Sequence, residues 1–329
     1  MLRMVLIIIM LTAMNSKITL IRSSLAALFL FSMSACSSNE ESSSTKRLTV
    51  AASFYPIEEI VRALAGEQVE VLGLTPAGEG AHDLQLTADQ LGDLENADVL
   101  FYLGDGFQPG IEKVISSLPA SVRVVDLLEK VSVRDIVPQL EGTEGETDGE
   151  SLESGKDPHV WLDPANMIIM TTEVQEILTN LPGTDVDALK TSVAKYTADL
   201  TALGTDMDNG LKECESRVIV TSHRAFEYLA ARTNLQQVSI AGVNPDAEPS
   251  TQSLQAISAF AKANKVSTIF FETLLPADLA STIANEIGAK TDLLDPIEGF
   301  SQEDLDKGSS YIVAQEANLE RLRAGLQCK

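Results

Sequence analysis

The sequence predicts an α/β protein of two lobes, each a parallel-type sheet with flanking helices, joined by one long rigid α-helix. Short apolar runs alternate with helical patterns in both halves of the chain, which is typical of βα units. One helical segment between the halves is much longer than the others. The 329 residues, 44% hydrophobic and 22% charged, are enough for one large or two medium globular domains.

Residues 1–35 have the pattern of a bacterial export signal. Lys17 and Arg22 precede the apolar stretch Leu25–Phe31, and small residues follow it. A start at Met14 would leave a signal of ordinary length, since the apolar run before it is too short to span a bilayer. We therefore expect the mature protein to be extracytoplasmic.

Cys36 is the expected site of lipidation. The run MSAC that ends at Cys36 resembles the lipobox of bacterial lipoproteins, in which the cysteine is lipid-modified after cleavage. A plain secretory signal with an incidental cysteine is the alternative. Residues 36–46 are rich in Ser and Glu and predict a flexible tether. We therefore expect a lipid anchor in a bacterial membrane, in the periplasm or at the cell surface.

The N-terminal lobe is predicted to cover residues 47–183. Its apolar runs predict strands, and its helical periods, with Thr87 as one cap, predict helices. The predicted strands are 48–54, 69–74, 98–103 and a strand-like run at 159–162, and the predicted helices are 57–65, 87–96 and 166–180. Residues 139–155 contain six acidic residues, four glycines and no basic residue, so we expect a mobile surface loop there.

A linking helix is predicted over residues 184–212, followed by a C-terminal lobe over residues 213–329. Apolar or small residues recur along the linking helix at Leu189, Val193, Tyr196, Leu200 and Leu203. The second lobe repeats the alternation of the first. Its predicted strands are 217–221, 237–240, 268–271 and 291–294, and its predicted helices are 225–232, 254–264, 277–287 and 308–327.

The charge balance is strongly acidic and bears on the class of partner. Asp and Glu number 48 against 24 Lys and Arg, a formal net charge of −24. Phosphate binding needs a basic face, so this balance argues against a nucleic-acid partner. An acidic surface favours cations nearby, but it is equally consistent with a solvated surface that aids solubility.

Two cysteines remain if Cys36 carries lipid. Export places Cys214 and Cys328 in an oxidising compartment, where an even pair predicts one disulfide. This bond would tie the C-terminal helix to the start of a strand in the same half of the chain. Two buried free thiols are the alternative.

The chain has only three histidines, and each lies in its own short motif: AHDLQL around His82, DPHVWLDP around His159 and VIVTSHRAF around His223. His82 and His223 follow predicted strands, and so does Glu298 in LLDPIEGF. In open α/β sheets, ligands bind outside the carboxyl ends of strands. A histidine taken singly is more often a hydrogen-bonded core or surface residue. The loop placement of all three histidines nevertheless predicts a metal site. Glu298 would be its fourth ligand or, alternatively, a solvated loop carboxylate, and a metal bound by all four residues would lie in the cleft between the lobes.

The ligand types indicate the metal. Three neutral imidazoles and one carboxylate suit tetrahedral Zn²⁺, whereas Mn²⁺ prefers more oxygen ligands and Cu²⁺ or Ni²⁺ would accept the imidazoles. Asp295 could replace Glu298 or join it, and the site would then be more like a manganese site. Each imidazole also needs a partner for its second nitrogen. The acidic residues near the histidines in sequence are Asp83, Asp157 and Asp163.

From residue 48 to its C-terminus the chain resembles the zinc/manganese-type (cluster A-I) solute-binding proteins of bacterial ABC transporters. Segments in the family's order and spacing are AASFYPIEEIVRALAG, DPHVWLDP, VTSHRAFEYLA, AGVNPDAEPS and LDPIEGF. The resemblance implies two α/β lobes on one rigid helix, with His82, His159 and His223 as ligands of the metal between them. Zinc members have a Glu at the place of Glu298, whereas manganese members use a carboxylate nearer Asp295.

The resulting hypothesis is a monomeric, lipid-anchored, non-enzymatic receptor that captures Zn²⁺ and delivers it to an ABC permease and its ATPase. An Mn²⁺ receptor of the same family is the alternative. A zinc hydrolase is a rival from another class, since three histidines with an open position can activate water, although the sequence lacks an HExxH motif. An adhesin on the same scaffold is a further rival.

Overall fold

Two four-stranded parallel sheets of the same strand order organise the protein. The computed structural model describes residues 47–82, 84–136, 139–140, 154–243, 245, 249–273 and 277–329. The predicted signal peptide, Cys36 and its tether, and residues 141–153 of the acidic loop lie outside these residues. The described residues from Arg47 to Lys329 form one compact unit. The predicted lobe boundaries at 183/184 and 212/213 stay a prediction.

The first sheet has the order β2-β1-β3-β4. Its strands are β1 (Leu48–Ala52), β2 (Val69–Gly73), β3 (Val99–Tyr102) and β4 (Arg123–Asp126). The helices of this half are α1 (Tyr55–Ala65), α2 (Ala88–Glu95), α3 (Pro109–Ile115) and α4 (Pro164–Thr179). Val50 pairs with Val71 on one side and with Val99 on the other, so β1 is a central strand.

The second sheet has the order β6-β5-β7-β8. Its strands are β5 (Val218–Thr221), β6 (Gln236–Ser239), β7 (Thr268–Phe271) and β8 (Lys290–Leu293). The helices of this half are α6 (Glu227–Thr233), α7 (Thr251–Ala263), α8 (Asp278–Ile287), α9 (Gln302–Asp306) and α10 (Tyr311–Leu326). The strand order repeats that of the first sheet, whereas the sequence predicted only the shared alternation of strands and helices.

Helix α5 (Val186–Gly210) lies between the two sheets in the chain. The side chain of Asp185 caps it by accepting from the backbone N–H groups of Asp187 and Ala188. Its buried residues lie along one side of the helix: Leu189, Tyr196, Leu200, Leu203, Gly204 and Met207. The helix packs on α1 and α4 from the first half and on α6 and α10 from the second.

Alternate residues of the central strands enter different apolar clusters, because successive side chains point to opposite faces of a sheet. Val50 lies in a large cluster that also includes Ile219 of the second sheet, whereas Ala51 lies in a smaller cluster on the other face. Val220 lies in a third cluster under α7 and α8. The large cluster is therefore continuous between the two sheets.

The strand-like run predicted at 159–162 is wrong. Residues Val160–Leu162 form a 3-10 turn, closed by bonds from Leu162 N–H to the His159 carbonyl and from Asp163 N–H to the Val160 carbonyl. Local closure satisfies these backbone groups without a neighbouring strand. Strand β4 and helices α3 and α9 were not predicted. Strand β4 was missed because Arg123 and Asp126 at its ends leave an apolar run of only two residues.

Cys214 and Cys328 are joined by a disulfide, which confirms that prediction. The bond ties the segment after α5 to the residue just beyond α10. Across the described residues, no helix is long and apolar enough to cross a membrane.

Candidate metal centre

The structure brings four buried side chains together: His82, His159, His223 and Glu298. Glu298 Oε1 lies 3.4 Å from His82 Nε2, 3.4 Å from His223 Nε2 and 3.8 Å from His159 Nε2. His159 Nε2 and His223 Nε2 are 3.3 Å apart. Each residue offers one ligand atom, and these four atoms all lie within 4.8 Å of one another.

These separations have the dimensions of a tetrahedral zinc site. Bonds of about 2.0–2.2 Å to a tetrahedral Zn²⁺ place the ligand atoms about 3.3–3.6 Å apart. The four separations given above, 3.3–3.8 Å, are close to that range. The donor set of three imidazole nitrogens and one carboxylate oxygen is also one that zinc accepts. The side chains are therefore arranged to replace the water shell of a small divalent cation.

Three of the four residues follow parallel strands. His82 lies in the loop after β2, His223 two residues beyond β5, and Glu298 in the loop after β8. Ligands collect at this carboxyl edge in open α/β sheets. His159 reaches the centre differently, as the residue that precedes the 3-10 turn.

The loop of His82 is supported by α3 and the residue before it. Gln108 Nε2 donates to the Ala81 carbonyl over 3.3 Å. A Cβ atom added to Gly110 would lie only 2.0 Å from the Leu84 carbonyl oxygen. The absence of a side chain at Gly110 therefore allows the loop to lie directly on the helix.

Asp157 orients His159. Its Oδ1 accepts from both the backbone N–H and the ring Nδ1 of His159, each over 2.9 Å. A proton fixed on Nδ1 leaves Nε2 free to ligate a metal. Asp157 is one of the three acidic residues that sequence proximity indicated.

Glu272 orients His223, and the sequence analysis missed it. It follows β7, and its carboxylate accepts from the backbone N–H of His223 over 2.9 Å and from its ring Nδ1 over 2.6 Å. The available signal was a carboxylate directly after TIFF, a strand that pairs with the strand before His223. Asp163 instead caps α4 and pairs with Arg232, and Asp83 lies outside the described residues.

Asp295 is not part of the group of four. Its Oδ1 accepts from the Ile297 backbone N–H over 2.8 Å, which shapes the turn that carries Glu298. Asn318 of α10 bonds both the N–H and the carbonyl of Asp295. Burial, chiefly, raises the pKa of Asp295 to about 6. The side chain supports the loop, and Glu298 is the carboxylate beside the histidines.

In the ion-free protein, the charges around the imidazoles favour a proton on His223. Burial, aided by the other two histidines, lowers the pKa of His159 despite the opposing pull of Asp157. Burial also opposes a charge on His223, but Glu272 and Glu298 outweigh it and raise its pKa to about 10. Burial disfavours ionised Glu298, yet His82 and His223 hold its pKa well below the ordinary value. A bound cation must therefore displace the His223 proton.

Aromatic rings pack around the imidazoles. The ring centroids of Trp161 and His159 are 5.2 Å apart, and those of Phe107 and His82 are 5.1 Å apart. Trp161 Nε1 donates to the Pro296 carbonyl over 2.7 Å, joining the His159 turn to the Glu298 loop. Trp161 and Phe226 belong to the core.

Known proteins share the sequence and the fold. The chain is 32% identical to the zinc-binding lipoprotein AdcA of Streptococcus pneumoniae serotype 4 over 309 residues, 93% of this chain and 60% of AdcA. It is 32% identical to the high-affinity zinc uptake system protein ZnuA of Bacillus subtilis over 317 residues, 93% of this chain and 97% of that protein. The chain thus spans about 60% of the length of AdcA and nearly all of the B. subtilis protein.

One of the similar solved structures is the Zn(II)-bound ZnuA-like domain of S. pneumoniae AdcA. It matches with a TM-score of 0.70 and 30% identity, covering 85% of this chain and 99% of the domain. The family model for ZnuA, the zinc-uptake complex component A periplasmic, matches residues 50–325 and so includes both sheets and all four residues of the centre. The chain belongs to the ZnuA family of periplasmic zinc-uptake components.

Proposed function

We propose that the protein is an extracytoplasmic receptor that binds Zn²⁺ at His82, His159, His223 and Glu298 and delivers it to an ABC permease with its ATPase. The observation that carries this proposal is the convergence of four buried ligand atoms within 4.8 Å of one another, with the four separations given above at 3.3–3.8 Å. The names of AdcA and ZnuA, which describe zinc binding and zinc uptake, support it.

Capture replaces the hydration shell of the ion with three imidazoles and one carboxylate. His82 and His159 come from the half of the chain that forms the first sheet, and His223 and Glu298 from the half that forms the second. The ion therefore stabilises the conformation in which the four atoms are close. The size of this effect is set by how much more tightly the ion binds that conformation than one in which the atoms are apart. Rearrangement of either pair would release it to the permease.

The donor set favours Zn²⁺ over Mn²⁺. A single carboxylate among three imidazoles supplies fewer oxygen ligands than Mn²⁺ prefers. Glu298 would also fill the fourth tetrahedral position, whereas catalytic zinc sites keep that position open for water. These features favour a binding protein over a hydrolase.

Zinc titration of the purified protein tests the site. We expect tight, one-to-one Zn²⁺ binding, a loss of affinity of more than about 100-fold in His223→Ala, and weak competition by Mn²⁺. Glu303→Gln, which changes an exposed carboxylate outside the centre, is the control. Unchanged affinity in His223→Ala would refute the assignment.

Delivery needs a cellular test. In a bacterium that lacks its own zinc receptor but retains the matching permease, the wild-type chain should restore growth in chelator-treated medium. His223→Ala should not. Restoration by both would show that growth does not depend on this site.

The anchor and the oligomeric state complete the proposal. Lipidation of Cys36 predicts that the wild-type protein is recovered with membranes and that Cys36→Ala is released as soluble protein. Light scattering of the soluble form should give the mass of a monomer. Recovery of the wild-type protein in the soluble fraction would contradict the lipid anchor. The mass of a dimer would contradict the monomeric state.

A further inference from the structure

Tyr228 joins the two halves of the chain next to the metal centre. It lies in the first turn of α6, the helix that begins soon after His223. Its buried hydroxyl donates to the Asp157 carbonyl over 2.9 Å and accepts from the Arg134 backbone N–H over 2.9 Å. Both partners belong to segments that precede the linking helix.

The hydrogen bond from Tyr228 to Asp157 is connected to His159, because Asp157 is also bonded to that histidine. Asp157 Oδ1 holds both the backbone N–H and the ring Nδ1 of His159. A displacement of the Asp157 backbone would therefore move the group that fixes the His159 ring. We infer that Tyr228 is a positioning residue that holds the His159 turn to the helix following His223, and so sets how these two ligands face each other. This inference rests on the proposed metal-binding function.

Tyr228 also lines an open groove. The groove has a volume of about 710 Å³, and its lining includes Arg134, Tyr228 and Arg232. Asp157 and His159, behind Tyr228, are completely buried. The hydroxyl therefore occupies the position from which groove water could otherwise compete for the Asp157 carbonyl. Burial, chiefly, raises the pKa of Tyr228, so its hydroxyl keeps the proton that it donates.

Tyr228→Phe removes these two hydrogen bonds and keeps the ring. Loss of a group that supports a metal ligand typically weakens metal binding 10- to 100-fold, and Tyr228 acts one bond further away. We therefore expect Zn²⁺ transfer to a chelator to be about tenfold faster. Co²⁺ in the same site should show shifted visible absorption bands, because the geometry around the metal changes.

Tyr196→Phe is the matched control. Tyr196 is buried in α5, and its hydroxyl has no hydrogen-bond partner within the part of the chain that the structure describes. Its Co²⁺ spectrum and its rate of Zn²⁺ release should equal those of the wild type. If Tyr228→Phe also matches the wild type in both measurements, the inference is overturned.

Two further measurements guard against a merely structural effect. If Tyr228 acts through Asp157, the effects of Tyr228→Phe and Asp157→Asn on the release rate should be non-additive, and additive effects contradict the inference. Hydrogen exchange of the Arg134 amide in the zinc-loaded wild type needs no substitution. Slow exchange supports its bond to Tyr228, and exchange at the rate of an exposed amide refutes it.

The result also distinguishes this inference from the proposed function. A wild-type protein that binds neither Zn²⁺ nor Co²⁺ contradicts the function itself. A wild type that binds both, together with an unchanged Tyr228→Phe, leaves the function standing and removes only the role of Tyr228.

Discussion

Two buried carboxylates decide which ring nitrogens of His159 and His223 face the metal centre. Asp157 and Glu272 each accept from an Nδ1 and from a backbone N–H, so each fixes both the ring and the chain that carries it. Partners of this kind set the tautomer and raise the basicity of the ligand. On the proposed function, the affinity for Zn²⁺ depends also on residues that never touch the ion.

Glu272→Gln tests this dependence. The amide can accept one of the two hydrogen bonds from His223, but its NH₂ group repels the other donor. We expect the Zn²⁺ affinity to fall about 10- to 100-fold, as measured by titration against a competing chelator. Glu303→Gln, in an exposed pair with Lys307, should leave the affinity unchanged. Affinity within twofold of the wild type in Glu272→Gln would argue against its orienting role.

The raised pKa of His223, about 10, predicts opposite pH trends for metal binding and for the stability of the ion-free protein. Zn²⁺ must displace the His223 proton, so log K should rise by about one per pH unit between pH 7 and 9 from this proton alone. A pKa raised in the folded state adds stability that is complete below about 6.5, the unfolded value, and is lost towards pH 10.

Melting curves and zinc titrations at several pH values measure both trends. The melting temperature of the ion-free protein should fall from pH 7 to 9.5, while the rise that Zn²⁺ causes should grow. His223→Asn, which cannot take up this proton, should lose most of the pH dependence of stability. Wild-type zinc affinity that is constant between pH 7 and 9 would show that no proton is displaced.

At the residue scale, the sequence singled out the four side chains that the structure brings together, but only part of their support. Their role as metal ligands stays a prediction. Each histidine lies in a distinctive motif, and three of the four residues follow strands. Glu272 was missed because it belongs to a segment without a histidine, far from His223 in the chain. Which carboxylate reaches a ring depends on the pairing of β5 with β7, which is set by tertiary structure.

Helix α3 is the element that supports the His82 loop. Gly110 lies so close to this loop that a Cβ atom would be 2.0 Å from the Leu84 carbonyl oxygen. The added Cβ is fixed to the helix backbone, and the Leu84 oxygen belongs to the loop backbone, so no flexible side chain can move aside. The helix and the loop must therefore shift together if a side chain is added.

Gly110→Ala should weaken zinc binding and stability together. Overpacking of this kind typically costs about 1–3 kcal/mol, and the shifted loop carries a ligand. Gly92→Ala in α2 is the control, since its Cβ would meet nothing within 4 Å. That change should raise stability by up to about 1 kcal/mol and leave affinity unchanged. Denaturant unfolding measures the stability of each variant, and zinc titration measures its affinity. If Gly110→Ala has the stability and affinity of the wild type, the contact between helix and loop is not rigid.

The elements that the sequence predicted well have strong periodic patterns. A helix was predicted over 184–212, and α5 covers Val186–Gly210, because its apolar stripe is a local signal. Its role as a link between two lobes stays a prediction. The 3-10 turn Val160–Leu162 was predicted as a strand, because a short apolar run is compatible with a strand as well as with a helical turn. Helix α3 has too few residues to show a period.

For the whole molecule, cohesion comes from one apolar cluster and one covalent bond. The large cluster contains residues of both sheets, of α5 and of α10, so the halves that carry the four residues of the centre share a core. The disulfide joins residues 114 positions apart and fastens the end of α10 to the segment after α5. The bond therefore encloses almost the entire second half of the chain.

Reduction of this disulfide should lower the stability of the whole protein. A closed loop of this length restricts the unfolded chain, and removal of such a bond typically costs about 2–5 kcal/mol. Guanidinium unfolding with and without a reductant measures the change, which should appear as a lower midpoint. In the double variant Cys214→Ser, Cys328→Ser the midpoint should already be low, and the reductant should change it no further. An equal midpoint for the reduced and oxidised wild type would mean that the cluster alone holds α10 in place.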